Sequence, residues 1–240
     1  MKIFAGLWLG GMGLFILIVG IHYLSRGEVP SAFVALCGAA FCFGFAAPQV
    51  KVVAGRVIPR IQSDSSGTLF RPDRGIELPM QAALGGGVLA CLLILILLPM
   101  GRLAIPVPPN MRYSLPFMAA VISASGLPIL WRNIRRGSVS HLRLTAEGFE
   151  ILQGWRPRCA DWDSVKDIGS EVPNRKAQTP STIVFILSDD SVQTFTASAY
   201  TPDGTALKEL VRFYWQHPEA RDELTDGRAS QRLLDKLGAA

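Results

Sequence analysis

The sequence predicts an α+β membrane protein in two parts, a block of four apolar helices followed by a small antiparallel β domain. Three observations carry this. Four uncharged runs, each long enough to cross a bilayer, fill most of residues 1–131. Past Trp131 the composition changes to that of a soluble domain. From about Ser138 the apolar residues recur with the period of two that marks strands, and later once with a helical period. The 240 residues are 49% hydrophobic and 18% charged, against about 25% charged in soluble domains. Disordered, collagen-like and ordinary cytosolic classes therefore recede.

The uncharged runs are Ile3 to Leu24, Val29 to Val50, Leu78 to Gly101 and Tyr113 to Trp131, of 22, 22, 24 and 19 residues. At ~1.5 Å per residue, about 20 residues cross a hydrocarbon core of ~30 Å. Backbone groups in lipid must be bonded within the segment, so the runs are predicted as spans 3–24, 29–50, 78–101 and 113–131 of a domain 1–131. Pro30, Pro48, Pro116 and Pro128 trim or kink the second and fourth. The first run, behind Lys2, could be read as a secretory signal. It is longer than a typical signal core, and Ser25, Arg26 and Gly27 make no small-x-small cleavage site, so it is read as a retained span.

The chain has 24 Lys+Arg against 19 Asp+Glu, a net charge of +5. Such an excess in a soluble protein raises nucleic acid as a partner. Here residues 1–131 hold nine basic and four acidic side chains, whereas residues 132–240 hold fifteen of each. The excess lies beside the spans, so it is an orientation signal, and nucleic acid is not expected as a partner. With the amino terminus inside, the inner segments hold Lys2, five basic residues of the loop 51–77, and Arg132, Arg135 and Arg136 of a juxtamembrane linker 132–137. The outer loops keep Arg26, Arg102 and Arg112. Both termini are therefore predicted on the cytoplasmic face. No Asp, Glu, Lys or Arg lies inside a run, which argues against a pump or ion-coupled transporter. Small residues recur at helical spacing, among them Gly6 with Gly10, Ala40 with Gly44, Ala82 with Gly86, and Ala83 with Gly87. Gly6, Gly10, Gly44, Gly86 and Gly87 are expected to let the helices of this block pack closely.

The inner loop 51–77 opens with KVVAGRVIPRI, suited to an anionic leaflet or to the solvated exit of a helix, and continues with QSDSSGTLFRPDRG, read as turn-rich and irregular. In the β domain, residues 138–216, HLRLTA and FEILQ alternate around a turn at Ala146 to Gly148. Further strands are expected near Arg156 to Ala160, Val165 to Ile168, Thr182 to Leu187 and along VQTFTA, six in all. Thr201 and Pro202 are read as the start of a closing helix, residues 203–216, whose stripe Leu207, Leu210, Val211, Tyr214 and Trp215 must cover something apolar. Residues 217–240 read as a polar, loosely docked helical tail.

The run LRLTAEGFEILQGWRPRCADWDSVKDI, the hairpin TIVFILSDDSVQTFTA and the helix ALKELVRFYW together resemble bacterial pleckstrin-homology-like (PH-like) domains appended to small membrane proteins. In that pattern a Gly-Phe-x-Ile strand is followed by a basic strand, then by Trp-x-x-Val, here Trp162 to Val165. The resemblance covers roughly residues 138–216. It implies an antiparallel sandwich or barrel with one end plugged by the helix, in a bacterial inner (plasma) membrane. That fold has seven strands, so one more is expected, sought in Glu171 to Pro180.

No catalytic, cofactor-binding or metal-binding constellation is read. The cysteines make no CxxC pair or ligand spacing with the three histidines, and no phosphate loop, HExxH or GxSxG motif occurs. Ser123 and Ser125 lack a nearby base, and the acidic groups Asp161, Asp163, Asp167, Asp189 and Asp190 suit solvated turns. The candidate for headgroup or partner binding is a basic rim, with Arg156 and Arg158 alternating on one strand and Arg175 and Lys176 in a loop; a plain solvated face is the simpler alternative. The function expected is that of a non-enzymatic membrane protein whose cytoplasmic domain binds a protein partner, a second copy or a lipid headgroup. A channel or transporter subunit is the alternative, and a membrane enzyme comes third.

Overall fold

A computed structural model describes residues 2–104, 108–154, 156–170 and 181–238. The chain forms two compact units, one of residues 1–53 and 75–137 and one of residues 54–74 and 138–240.

The first unit holds α1 (Lys2–Ser25), α2 (Val29–Val53), α3 (Arg74–Leu97) and α4 (Ser114–Arg136). All four are long and apolar enough to cross a membrane. Gly44 of α2 faces the Pro79 carbonyl and Ala83 of α3 so closely that a Cβ would collide with both. A Cβ on Gly86 would come within 2.8 Å of the Cys37 carbonyl, and one on Gly87 within 2.7 Å of the Phe41 ring. Gly6 has only ordinary contact with Gln49, at 3.6 Å. Gly10 faces open space and is not the packing contact expected, whereas Gly13 and Gly20 of the same helix pack against Cys42 and Ala35. The stretch 132–137 is no linker: α4 continues through Arg132, Arg135 and Arg136 and ends at Gly137, whose φ of 63° is a left-handed helix stop.

The second unit is an antiparallel α+β body built from two separate stretches of chain. One sheet has the order β1-β2-β3-β4-β5, from β1 (Arg60–Asp64), β2 (Gly67–Arg71), β3 (His141–Leu144), β4 (Gly148–Leu152) and β5 (Arg158–Asp161). The other has the order β6-β7-β8, from β6 (Val165–Gly169), β7 (Thr182–Leu187) and β8 (Val192–Thr196). The part of the inner loop expected to be irregular is therefore a hairpin, and β2 pairs β3 with Leu69 opposite Arg143 and Phe70 opposite Leu142. Phe70 is 1% exposed within the same core as Leu142, Leu144, Ile183 and Phe195. The segment Glu171 to Pro180, where a further strand was sought, lies outside the described residues.

Close backbone approach fixes two glycines. Gly67, at φ 144°, turns the β1–β2 hairpin, and a Cβ there would strike the Leu144 carbonyl; one on Gly148 would strike the Ala160 carbonyl. The Trp162 indole, 1% exposed, donates to the Thr145 carbonyl at 2.9 Å beneath the β3–β4 turn. That bond gives the Trp-x-x-Val motif a physical role, with Val165 buried beside it.

The apolar stripe of α5 (Thr205–Gln216) is buried in this core, with Leu207, Leu210, Val211 and Tyr214 each 0% exposed. Thr201 does not cap it. A 3-10 turn at Pro202–Gly204 intervenes, and Gly204, at φ 73°, precedes the first helical residue. The tail is also docked rather than loose. Leu224 of α6 (Glu223–Asp226) and Ala229 and Leu233 of α7 (Arg228–Gly238) are 0% exposed in the core cluster, and the Thr68 hydroxyl donates to the Leu224 carbonyl at 2.6 Å.

Candidate functional site: an arginine-lined cleft

Strand β4 ends at Ile151 and Leu152, each 2% exposed, and the chain then bends outward through Gln153 and Gly154. It returns as β5 at Arg158, opposite Ile151. Arg156 lies in the bend before the strand, so the two arginines do not alternate along one strand as expected. They nevertheless line one cleft of about 670 Å³, together with Ile151, Gln153, Gly154, Pro157 and Thr194. Thr194 belongs to β8, so both sheets contribute a wall. Arg156 and Arg158 are exposed, and neither has a hydrogen bond or ion pair among the described residues. Arg175 and Lys176 lie outside the described residues.

Local composition separates this cleft from its neighbours. The unit carries sixteen basic and seventeen acidic side chains, close to neutral. Three other clefts on it contain carboxylates: Glu223 and Asp235 in one, Asp161 and Asp189 in the second, Asp203 and Glu209 in the third. Among the described residues, the walls around Arg156 and Arg158 contain none. Among the described residues, this cleft thus combines two unpaired guanidinium groups with walls that hold no carboxylate.

The acidic clusters do what solvated turn residues do. The Asp189 side chain accepts from the Ser191 hydroxyl and amide, which lowers its pKa, and Lys166 pairs with Asp190 at 3.2 Å with both groups exposed. The Asp64 carboxylate is held at about 2 by the Ser66 hydroxyl and amide first, and by Arg143 of β3 next. The four cysteines are free thiols, and that of Cys159 is pushed up by burial first and by nearby Glu150 and Asp161. No group of His, Cys, Asp or Glu able to hold a metal occurs among the described residues. Arg135 stacks its guanidinium over Trp131 at 4.8 Å, within the last turns of α4.

One ionic constellation escaped the sequence reading. Arg232 of α7 grips Glu223 of α6 with two hydrogen bonds, at 2.9 and 2.7 Å, and the Tyr214 hydroxyl donates to the same carboxylate at 3.1 Å. The Arg232 hydrogen bond does most to lower the pKa of Glu223, while burial and then the carboxylate push the phenol of Tyr214 upward. The i, i+9 spacing across two short helices is no helical period, so only the docking of α7 makes the cluster visible. Comparison with known proteins adds no relative: no protein-family model, curated protein or solved structure matches the chain.

Proposed function

We propose that the chain is a non-enzymatic integral membrane protein whose cytoplasmic β unit, PH-like in fold, is a binding or scaffolding module for a protein partner, a second copy or a lipid headgroup. The observation that carries this is one sheet shared between the α2–α3 loop and the segment after α4. If the four helices cross a bilayer, the β2–β3 ladder demands that residues 67–71 and 141–144 lie on the same side of it. The basic residues beside the helices support reading that side as the cytoplasm, with both termini there, and the resemblance to bacterial PH-like proteins supports a bacterial plasma membrane. The PH-like reading is supported by seven antiparallel strands, β2 to β5 and β6 to β8, beside an additional edge strand β1, and by the stripe of α5 buried in the core. The helix contacts at Gly44, Gly86 and Gly87 are lined by Ala, Cys and Phe, which supports an anchor rather than a conduit.

The test uses the full-length chain, because residues 138–240 alone lack β1 and β2. A photoreactive residue at exposed Ser188 should give specific adducts in native membranes. The adducts should disappear when Phe70→Asp unravels the β unit. No adduct above background would contradict the proposal.

A further inference from the structure

We infer that β1 is a docking edge for a second copy of this chain, joining the two five-stranded sheets edge to edge, an inference that rests on the binding-module reading and names the partner and its register. β1 lies at the end of its sheet, with β2 on one side only. Asp64 and Gly67 close the β1–β2 hairpin across a two-residue loop, and such a closing pair is hydrogen-bonded. Hydrogen bonding then alternates along the ladder. The backbone groups of Arg60, Gln62 and Asp64 therefore face β2, and those of Ile61 and Ser63 face away from the sheet. Among the described residues nothing bonds those outward groups. An unpaired edge of this kind is a template for another strand.

The sequence of the strand, RIQSD, selects the occupant. When a second β1 runs antiparallel about a two-fold axis at Gln62, Ile61 of each copy meets Ser63 of the other, and each such pair exchanges its outward N–H and C=O groups. The same register sets Arg60 opposite Asp64 at both ends, in non-hydrogen-bonded pairs where side chains come closest. The strand is thus complementary to itself in backbone phase and in charge. Arg60 already reaches the Pro72 carbonyl at 3.4 Å and Asp64 holds Arg143 at 2.7 Å, yet a guanidinium and a carboxylate each have capacity for a second partner. Neighbouring registers are poorer. Centring on Ile61 puts Pro59, which has no N–H, opposite Ser63, and centring on Ser63 sets Ile61 against Ser65 of the turn. The other sheet edges lack this match. On β5, RCAD, Arg158 and Asp161 are an odd number of places apart, so setting them opposite would pair outward backbone groups with inward ones. β6 has a bulge between Val165 and Asp167, and β8 carries no charged residue. Confinement of both copies to one membrane raises their effective concentration, so a short pairing can hold them together.

The experiment oxidises native membranes holding the full-length chain, with Cys159→Ser to remove the exposed native thiol and single cysteines added along β1. Gln62→Cys sets two thiols in a non-hydrogen-bonded pair about 4.5 Å apart at Cα, within disulfide range, and should give a covalent dimer. Asp64→Cys lies roughly 13 Å along the strand from the same residue of the second copy and should give less by about fivefold or more. Added to Gln62→Cys, Ser63→Pro removes an outward N–H and should lower the dimer by about fivefold or more. Arg60→Glu, which sets like charges opposite, should lower it by about twofold or more. Slow hydrogen exchange at Leu69 and Phe70 in each variant shows that the hairpin still folds. The inference is overturned if Gln62→Cys and Asp64→Cys crosslink alike, if Ser63→Pro and Arg60→Glu leave the dimer unchanged, or if the Gln62→Cys adduct contains a different protein. Adducts at Ser188 that persist through such a result would leave the module reading standing, and their absence would remove that as well.

Discussion

Two hairpins of the β unit differ in how they are held. In β7–β8 the apolar residues are consecutive, TIVFIL, and Ile183, Val184 and Phe185 are each 0% exposed. In β1–β2 they are sparse, RIQSDSSGTLFR, and the hairpin borrows its stability from residues far along the chain. Phe70 meets the core after α4, Thr68 bonds Leu224 in the tail, and Asp64 bonds Arg143. One hairpin carries its own signal to fold, and the other is completed by its partners. The consequence is a β unit that no continuous segment of the chain can form alone.

The largest expected effect breaks the borrowed hairpin at its one deeply buried aromatic residue. Phe70→Ala should cost the β unit about 3–5 kcal/mol, as deletion of a fully buried aromatic does. Chemical denaturation followed by tryptophan fluorescence should show the loss, with the helical signal falling only by the share of α5 to α7 while that of α1 to α4 is preserved. Loss of the α1 to α4 signal in the same transition would mean the two units do not melt separately.

A smaller effect is expected at the tail that covers the hairpin. Arg232→Ala removes two hydrogen bonds to Glu223, and about 1–2 kcal/mol is expected for a partly exposed charged pair. Because Glu223 is lowered in the folded protein, its contribution is full above the pKa of an unfolded glutamate and is lost as pH falls through the lower folded value. Wild type should therefore lose tail protection only as pH falls below the range of an unfolded glutamate, and Arg232→Ala should show a weaker pH dependence. Identical acid profiles would remove the cluster from the account.

Gly67→Ala comes next. At φ 144° the backbone is strained for any residue with a Cβ, and the new atom meets the Leu144 carbonyl, so a loss of about 1–3 kcal/mol is expected. A melting temperature within error of wild type would mean the turn is not as described. Smallest is Asp64→Asn: the pair with Arg143 is exposed, and stability at neutral pH should barely change. Its visible effect should be the loss of a titration near pH 2, followed by carboxyl chemical shift, since Asp64 titrates at about 2.

The contrast also explains what the sequence reveals. Helices α1 to α4 are legible because each is built on a long uncharged apolar run, and β3, β4, β6, β7 and β8 because their apolar residues alternate or cluster locally. Leu69 and Phe70 carry too little periodicity to outweigh QSDSSG beside them, so the hairpin emerges only when β3 offers an edge. The tail looked solvated because Leu224, Ala229 and Leu233 are embedded in charge, yet those are the residues that are buried. At the cleft, Arg156 and Arg158 were legible as a pair of cations, but the part played by Thr194 was not, because it arrives from the other sheet. That such a cleft lacks carboxylates is a property of tertiary structure and has no signature in a balanced composition.

The shared sheet is tested most directly by hydrogen exchange of residues 67–71 in nanodiscs, comparing the full chain with a chain ending at Gly137. The amides of Thr68 to Phe70 should exchange slowly in the full chain and rapidly in the truncated one. Slow exchange in both would mean the hairpin is stable without β3, and rapid exchange in both would mean that the β2–β3 pairing does not form.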